Sequence, residues 1–158
     1  MMVVSCSQPF PARLSESQSA PPPQPLDARG PGGAGLLAER AVMVVEDEGI
    51  VALDIEMALE EVGAEVMGPF LTLGEANAAL NAGVRPDAVV LDVNIGGEMV
   101  FPLAGRLVTL GVPFLFHTAN GDVPELSEGF PGVPVCRKPV RLEALVAAVA
   151  ELVRSGKA

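Results

Sequence analysis

Four groups of polar residues, each following an apolar run, invite chemistry. Residues 41–45 run into Glu46-Asp47-Glu48, and "AVVL" at 88–91 runs into Asp92, with Gly96-Gly97 close behind. Residues 112–116 run into His117-Thr118, and 133–135 precede Lys138-Pro139. The set therefore holds carboxylates, a hydroxyl and an amine. A carboxylate is a weak nucleophile unless it is held in position and relieved of charge repulsion. Neighbouring acids form a hard oxygen site of the kind that divalent cations take. Each group also has an ordinary reading by itself. Asp47 or Glu48 can cap the next helix, Thr118 can be a turn residue, and Lys138 can be solvated. Only a fold that brings all four groups together makes them a site.

The apolar patterning supplies such a fold. Short apolar runs at 41–45, 64–67, 87–91, 112–116 and 133–135 read as buried strands. Between them lie helical patterns. Val51, Ile55, Ala58, Leu59 and Val62 recur at helical spacing over 49–62, closed by Gly63. Thr72 and Glu75 form a capping box for a helix reaching Asn81, stopped by Gly83. A third helix spans 99–110 and ends at Gly111, and a last one spans 142–153, with Leu142, Leu145, Val149 and Leu152 on one face. One segment does not fit: "ANGDVPELSEGFPGVP" after Thr118 is rich in Gly and Pro and leaves room for one or two helical turns. Strands alternating with helices predict an α/β fold with a parallel sheet covered on both faces. Ligands in such sheets sit beyond the carboxyl ends of the strands, where all four polar groups fall.

This set resembles the receiver domain of bacterial two-component response regulators, over roughly residues 40–155. Glu46 and Asp47 match the family's acidic pair, Asp92 its phosphoacceptor, Thr118 its hydroxyl residue, and Lys138-Pro139 its lysine and following proline. "VPFLFHTANGD" and "LDVNIGGE" further resemble a group of single-domain receivers called the FAT-GUY type, with two of that motif's four letters changed. The resemblance implies a flavodoxin-like, doubly wound five-stranded sheet of order 2-1-3-4-5 with a shortened or irregular fourth helix. It implies Mg2+ bound by Asp47, Asp92 and the backbone carbonyl of Asn94, with Glu46 acting through water. Lys138, after a cis bond to Pro139, would pair with Asp92 and then with a phosphoryl oxygen, and Thr118 would donate its hydroxyl to that group. The implied partners are a histidine kinase or phosphotransfer protein and a downstream protein, with phosphate-sink behaviour as the other output. The chain departs from the family at Val135, three residues before the lysine, where an aromatic ring usually follows the switch. Reordering of 120–131 on phosphorylation is the expected substitute.

Composition agrees with one soluble domain. The chain has 158 residues, 49% hydrophobic and 19% charged, with no Trp or Tyr, so its core must be aliphatic. A net charge of -10 argues against a nucleic-acid surface, and no window is apolar enough to span a bilayer. Cys6 and Cys136 make neither a disulfide framework nor a metal set, which points to a reducing cytoplasm. Residues 1–38 hold seven of the 15 prolines and no apolar period, and read as a disordered tail, or as an overlong start, ahead of a domain at 39–155. At this length no fused kinase or DNA-binding domain is expected.

Two other readings compete. An aspartyl-nucleophile phosphatase needs a second acid two residues after its nucleophile, where this chain has Asn94. A flavodoxin-like cofactor binder needs a Ser/Thr/Gly-rich phosphate loop after the first strand, where this chain has three acids. His117, the only histidine, reads as a neighbour of the site without a chemical role, the alternative being a part in phosphoaspartate hydrolysis. Cys136 and the methionines read as packing.

Overall fold

The computed structural model describes residues 35–156. Seven strands and five helices follow in order: β1 (Ala41–Val45), α1 (Gly49–Glu61), β2 (Glu65–Phe70), α2 (Leu73–Asn81), β3 (Ala88–Asp92), β4 (Asn94–Ile95), β5 (Glu98–Met99), α3 (Phe101–Leu110), β6 (Phe114–Thr118), α4 (Pro124–Gly129), β7 (Val135–Arg137) and α5 (Leu142–Ser155). Five strands form one parallel sheet of order β2-β1-β3-β6-β7. With the small β4-β5 hairpin set aside, this is the 2-1-3-4-5 order expected for a flavodoxin-like fold.

Strand alternation explains why both faces are covered. Met43, Val45, Val89, Leu91, Phe114 and Phe116 enter one apolar cluster with residues of α2, α3 and α4. Their neighbours Val42, Val44, Ala88, Val90 and Leu115 enter the opposite cluster, closed by Ile55 and Leu59 of α1 and Leu145, Val149 and Val153 of α5. Each fully buried Val, Leu or Phe in these layers contributes roughly 1.5–3 kcal/mol relative to exposure. The central strands have no polar face to offer water, so they read as continuous apolar runs.

Local chemistry sets the boundaries. Thr72 caps α2, its hydroxyl oxygen accepting from the Glu75 N–H at 3.1 Å, while Glu75 Oε2 accepts from the Leu71 N–H at 3.0 Å. The reciprocal contact thus reaches one residue ahead of the cap. The third helix starts at Phe101 rather than Met99, because Met99 pairs with Asn94 in the antiparallel hairpin. Gly96 and Gly97 turn that hairpin at φ 60° and 88°, a left-handed pair that two glycines adopt without a Cβ penalty. β2 runs on through Gly68-Pro69 to Phe70, beyond the apolar run at 64–67. β6 and β7 each lie two residues later than the apolar runs suggested. In α5 the buried face is Leu145, Val146, Val149, Ala150 and Val153, and Leu142 is exposed.

Residues 35–38 lie just ahead of the domain start expected at 39. Leu37 is fully buried among Ile55, Leu59 and Val153, and its N–H donates to the Val62 carbonyl at 3.0 Å. The remaining tail positions 1–34, with Cys6, lie outside the described residues. The fourth helix is short, as expected, but its segment is packed. Leu126 is buried, and Phe130 stacks on Phe101 at 6.0 Å and meets Phe116 edge-on at 5.5 Å.

Candidate functional site

Register places the polar residues. Val45 pairs with Leu91, and Asp92 pairs with His117, so the residues after β1 and at the ends of β3 and β6 share one edge. Thr118 pairs with Arg137, and the Lys138 N–H donates to the Thr118 carbonyl at 2.8 Å, which brings Lys138 to the same edge. The Lys138-Pro139 bond is cis.

Lys138 is the hub. Its Nζ donates to Asp92 Oδ2 at 3.0 Å and lies 3.0 Å from Glu46 Oε2 and 3.7 Å from Glu48 Oε1. Only the Asp92 contact is aligned as a hydrogen bond, so the Glu46 contact is an ion pair held by charge. Oxygens of Glu46, Asp47 and Asp92 all lie within 4.8 Å of one another. Glu46 and Asp92 are buried, and Asp47 is the most exposed of the three. Three hard carboxylate donors converging at this spacing fit a small divalent cation. The Asp47 carboxylate is steadied by the Gly96 N–H at 2.9 Å, and the Asn94 N–H approaches Asp92 Oδ1 at 3.4 Å. The β4-β5 hairpin is therefore part of the site. Helix capping by Asp47 or Glu48 is not realised: Glu48 stands at the N-cap of α1 without a side-chain bond.

Electrostatics separates the two buried acids. Burial and the Glu46 carboxylate push Asp92 up to about 6, with Lys138 opposing. Burial also works against ionised Glu46, but His117, Asp92, Lys138 and the Glu48 N–H together hold it down to about 2. Lys138 is penalised by burial, yet its two carboxylate partners raise it above the usual lysine value. Of the two buried acids, Glu46 is firmly ionised, and Asp92 ionises only as the pH passes about 6.

Thr118 stands apart from this cluster. It is buried, and its hydroxyl oxygen accepts from the Asn120 N–H at 3.2 Å and faces the Asn120 carbonyl at 3.3 Å. It meets Lys138 through the backbone alone. Val135 is half-exposed on β7, and the ring that packs near the end of β6 is Phe130 instead. Cys136 lies against the α1/α5 cluster, where burial pushes its thiol up.

No family model matches the chain. A curated relative, the phyllosphere-induced regulator PhyR of Methylorubrum extorquens, is 31% identical over 103 residues, covering 59% of this chain and 39% of the relative. The chain thus spans about two fifths of that protein. Among solved structures, the signal receiver domain of a modulated diguanylate cyclase from Desulfovibrio desulfuricans matches with TM-score 0.65 at 26% identity, covering 75% of this chain and 96% of that one. The described residues share the fold of response regulator receiver domains. The response regulator PhyR from Brucella abortus agrees, with TM-score 0.62 at 28% identity over 73% of this chain and 48% of that one. Among the described residues, no helix is long and apolar enough to cross a membrane. Sequence reasoning brought Glu46, Asp47, Asp92 and Lys138 to this edge. It missed the hairpin, although Gly-Gly between two short runs was a visible signal. It also missed the contact of His117 with Glu46, which no sequence pattern carries.

Proposed function

We propose that this receiver accepts a phosphoryl group on Asp92 from a phosphohistidine of a histidine kinase or phosphotransfer protein. The observation that supports it most is the convergence of Lys138, at 3.0 Å from Asp92, with the Glu46–Asp47–Asp92 oxygen cluster. An Asp92 oxygen forms the new O–P bond as the donor's N–P bond breaks, and the electron pair leaves with the imidazole. Asp47, Asp92 and the Asn94 carbonyl would hold Mg2+, with Glu46 acting through water, and the ion when bound neutralises charge between the carboxylate and the phosphoryl oxygens. The raised Asp92 marks like-charge crowding at this edge, which a bound cation would relieve.

Lys138 is placed to follow the charge from Asp92 to a phosphoryl oxygen. The Thr118 hydroxyl would leave Asn120 and donate to the same group, drawing the end of β6 and its loop inward. With Val135 on β7, the response would pass through the packed 120–131 segment and Phe130 rather than through a ring at 135. The output is a protein contact or consumption of phosphate, in the cytoplasm, and the FAT-GUY-like motifs around Asp92 and Thr118 favour that group of receivers. The test is incubation with acetyl phosphate and Mg2+, wild type against Asp92→Asn. A mass increase of one phosphoryl group in wild type alone supports the reading. Equal labelling of both proteins removes Asp92 from the role.

A further inference from the structure

Glu46 is 1% exposed, and its two oxygens are served unequally. Oε1 accepts from the Glu48 N–H at 3.2 Å. Oε2 has no hydrogen-bond partner among the described residues and is held by the charge of Lys138 at 3.0 Å. Facing it at 3.7 Å is His117 Nδ1, also buried and also without a partner. Two buried polar atoms left open toward each other are uncommon in a folded protein. The arrangement has a use if their partners change during the working cycle.

We propose that His117 is a positioning residue that takes over Glu46 Oε2 when Lys138 turns to the phosphoryl group. The inference rests on the phosphoacceptor reading above. A single ammonium group serves both Glu46 and Asp92 in the resting receiver. A phosphoryl group on Asp92 adds negative charge beside Lys138 and draws the ammonium away from Glu46. Glu46 Oε2, already without a hydrogen bond, then loses the ammonium at 3.0 Å, and His117 Nδ1 at 3.7 Å is the donor that faces it. A displacement of about 0.7–0.8 Å closes 3.7 Å to an ordinary N–H···O distance of about 2.9–3.0 Å. The imidazole is well placed for so small a motion. His117 lies on β6, between β3 and β7, paired with Asp92 on one side and Cys136 on the other. It also adjoins Thr118, so an inward pull on that hydroxyl moves His117 with it. The contact stabilises the phosphorylated arrangement and leaves the resting one unchanged, where the atoms stand too far apart to bond.

The chain has one histidine, so its ring nitrogens give unambiguous NMR signals. The experiment compares full-length wild type, His117→Leu and His117→Asn, titrated with beryllofluoride in Mg2+, and follows the wild-type imidazole by 15N NMR. Wild type is expected to gain a slowly exchanging Nδ1–H signal on saturation. His117→Leu should bind beryllofluoride about tenfold more weakly, equal to about 1.4 kcal/mol. His117→Asn, whose amide can donate from nearly the same place as Nδ1, should recover most of that loss. An unchanged imidazole signal in beryllofluoride-bound wild type overturns the hand-off alone, as does wild-type affinity in His117→Leu. Absence of any beryllofluoride binding by wild type overturns both the hand-off and the phosphoacceptor reading beneath it.

Discussion

Replacing Asp92 by Asn should stabilise the metal-free protein while abolishing its response to Mg2+. The carboxylate sits among like charges: oxygens of Glu46 and Asp47 lie within 4.8 Å of one of its own. Two unit charges at that spacing repel by about 3.5 kcal/mol each at an effective dielectric of about 20, so two neighbours give about 7 kcal/mol. Lys138 at 3.0 Å returns about 5.5 kcal/mol on the same scale, leaving a deficit of about 1–2 kcal/mol before burial is added. The titration of Asp92 leads to the same order. A rise from 3.8 to about 6 is roughly two units, or about 3 kcal/mol against the ionised form at neutral pH. Asn keeps the shape and an acceptor for Lys138 but carries no charge. The expected gain is about 2–3 kcal/mol, or a rise in Tm of about 5–15 °C for a domain of this size.

The pH profile adds a signed check. The folded-state value of Asp92 is raised, so its contribution favours folding in acid and is lost as pH climbs through about 6. Glu46 runs the other way: its contribution is present above 4.5 and is lost as pH falls toward about 2. Metal-free wild type should therefore lose stability between about pH 5 and pH 7, and Asp92→Asn should not. Urea denaturation in EDTA at both pH values, repeated with excess Mg2+, is the assay. Mg2+ should stabilise wild type and leave the variant nearly unmoved. A variant less stable than wild type in EDTA at neutral pH would refute the argument that like charges crowd this edge.

Three further outcomes are expected. Lys138→Met strips the Glu46–Asp92 pair of its cation and should lower stability at neutral pH by about 1–3 kcal/mol, discounted for the lysine's partial exposure; an unchanged urea midpoint would mean that the acids do not depend on it. Gly97→Ala forces a Cβ into φ 88° at the hairpin turn and should cost about 1–2 kcal/mol. The same variant should weaken Mg2+ binding through the neighbouring Gly96 contact with Asp47, and calorimetry showing wild-type affinity would separate the hairpin from the site. Thr72→Ala removes the α2 cap and should cost about 1 kcal/mol without altering Mg2+ affinity, read by the same two measurements.

Much of this protein was legible in order and type. Apolar runs buried on both faces announced a parallel sheet, because such strands have no polar side to show water. The polar residues ending those runs then had to share one edge, since parallel strands all finish on the same side. That is why Glu46, Asp47, Asp92 and Lys138 were readable together from scattered positions. Tertiary structure decided what pattern cannot encode. Leu37 joins the core because it fills space beside α1, not because it belongs to an apolar period. Met99 leaves the helix because a partner at Asn94 holds it in a hairpin. Lys138 divides one ammonium between two acids, and His117 faces Glu46 at 3.7 Å, because strand register and burial fix side chains from distant segments in three dimensions. Distances of that kind determine charge and hydrogen bonding, and a linear sequence holds them only through the fold it specifies.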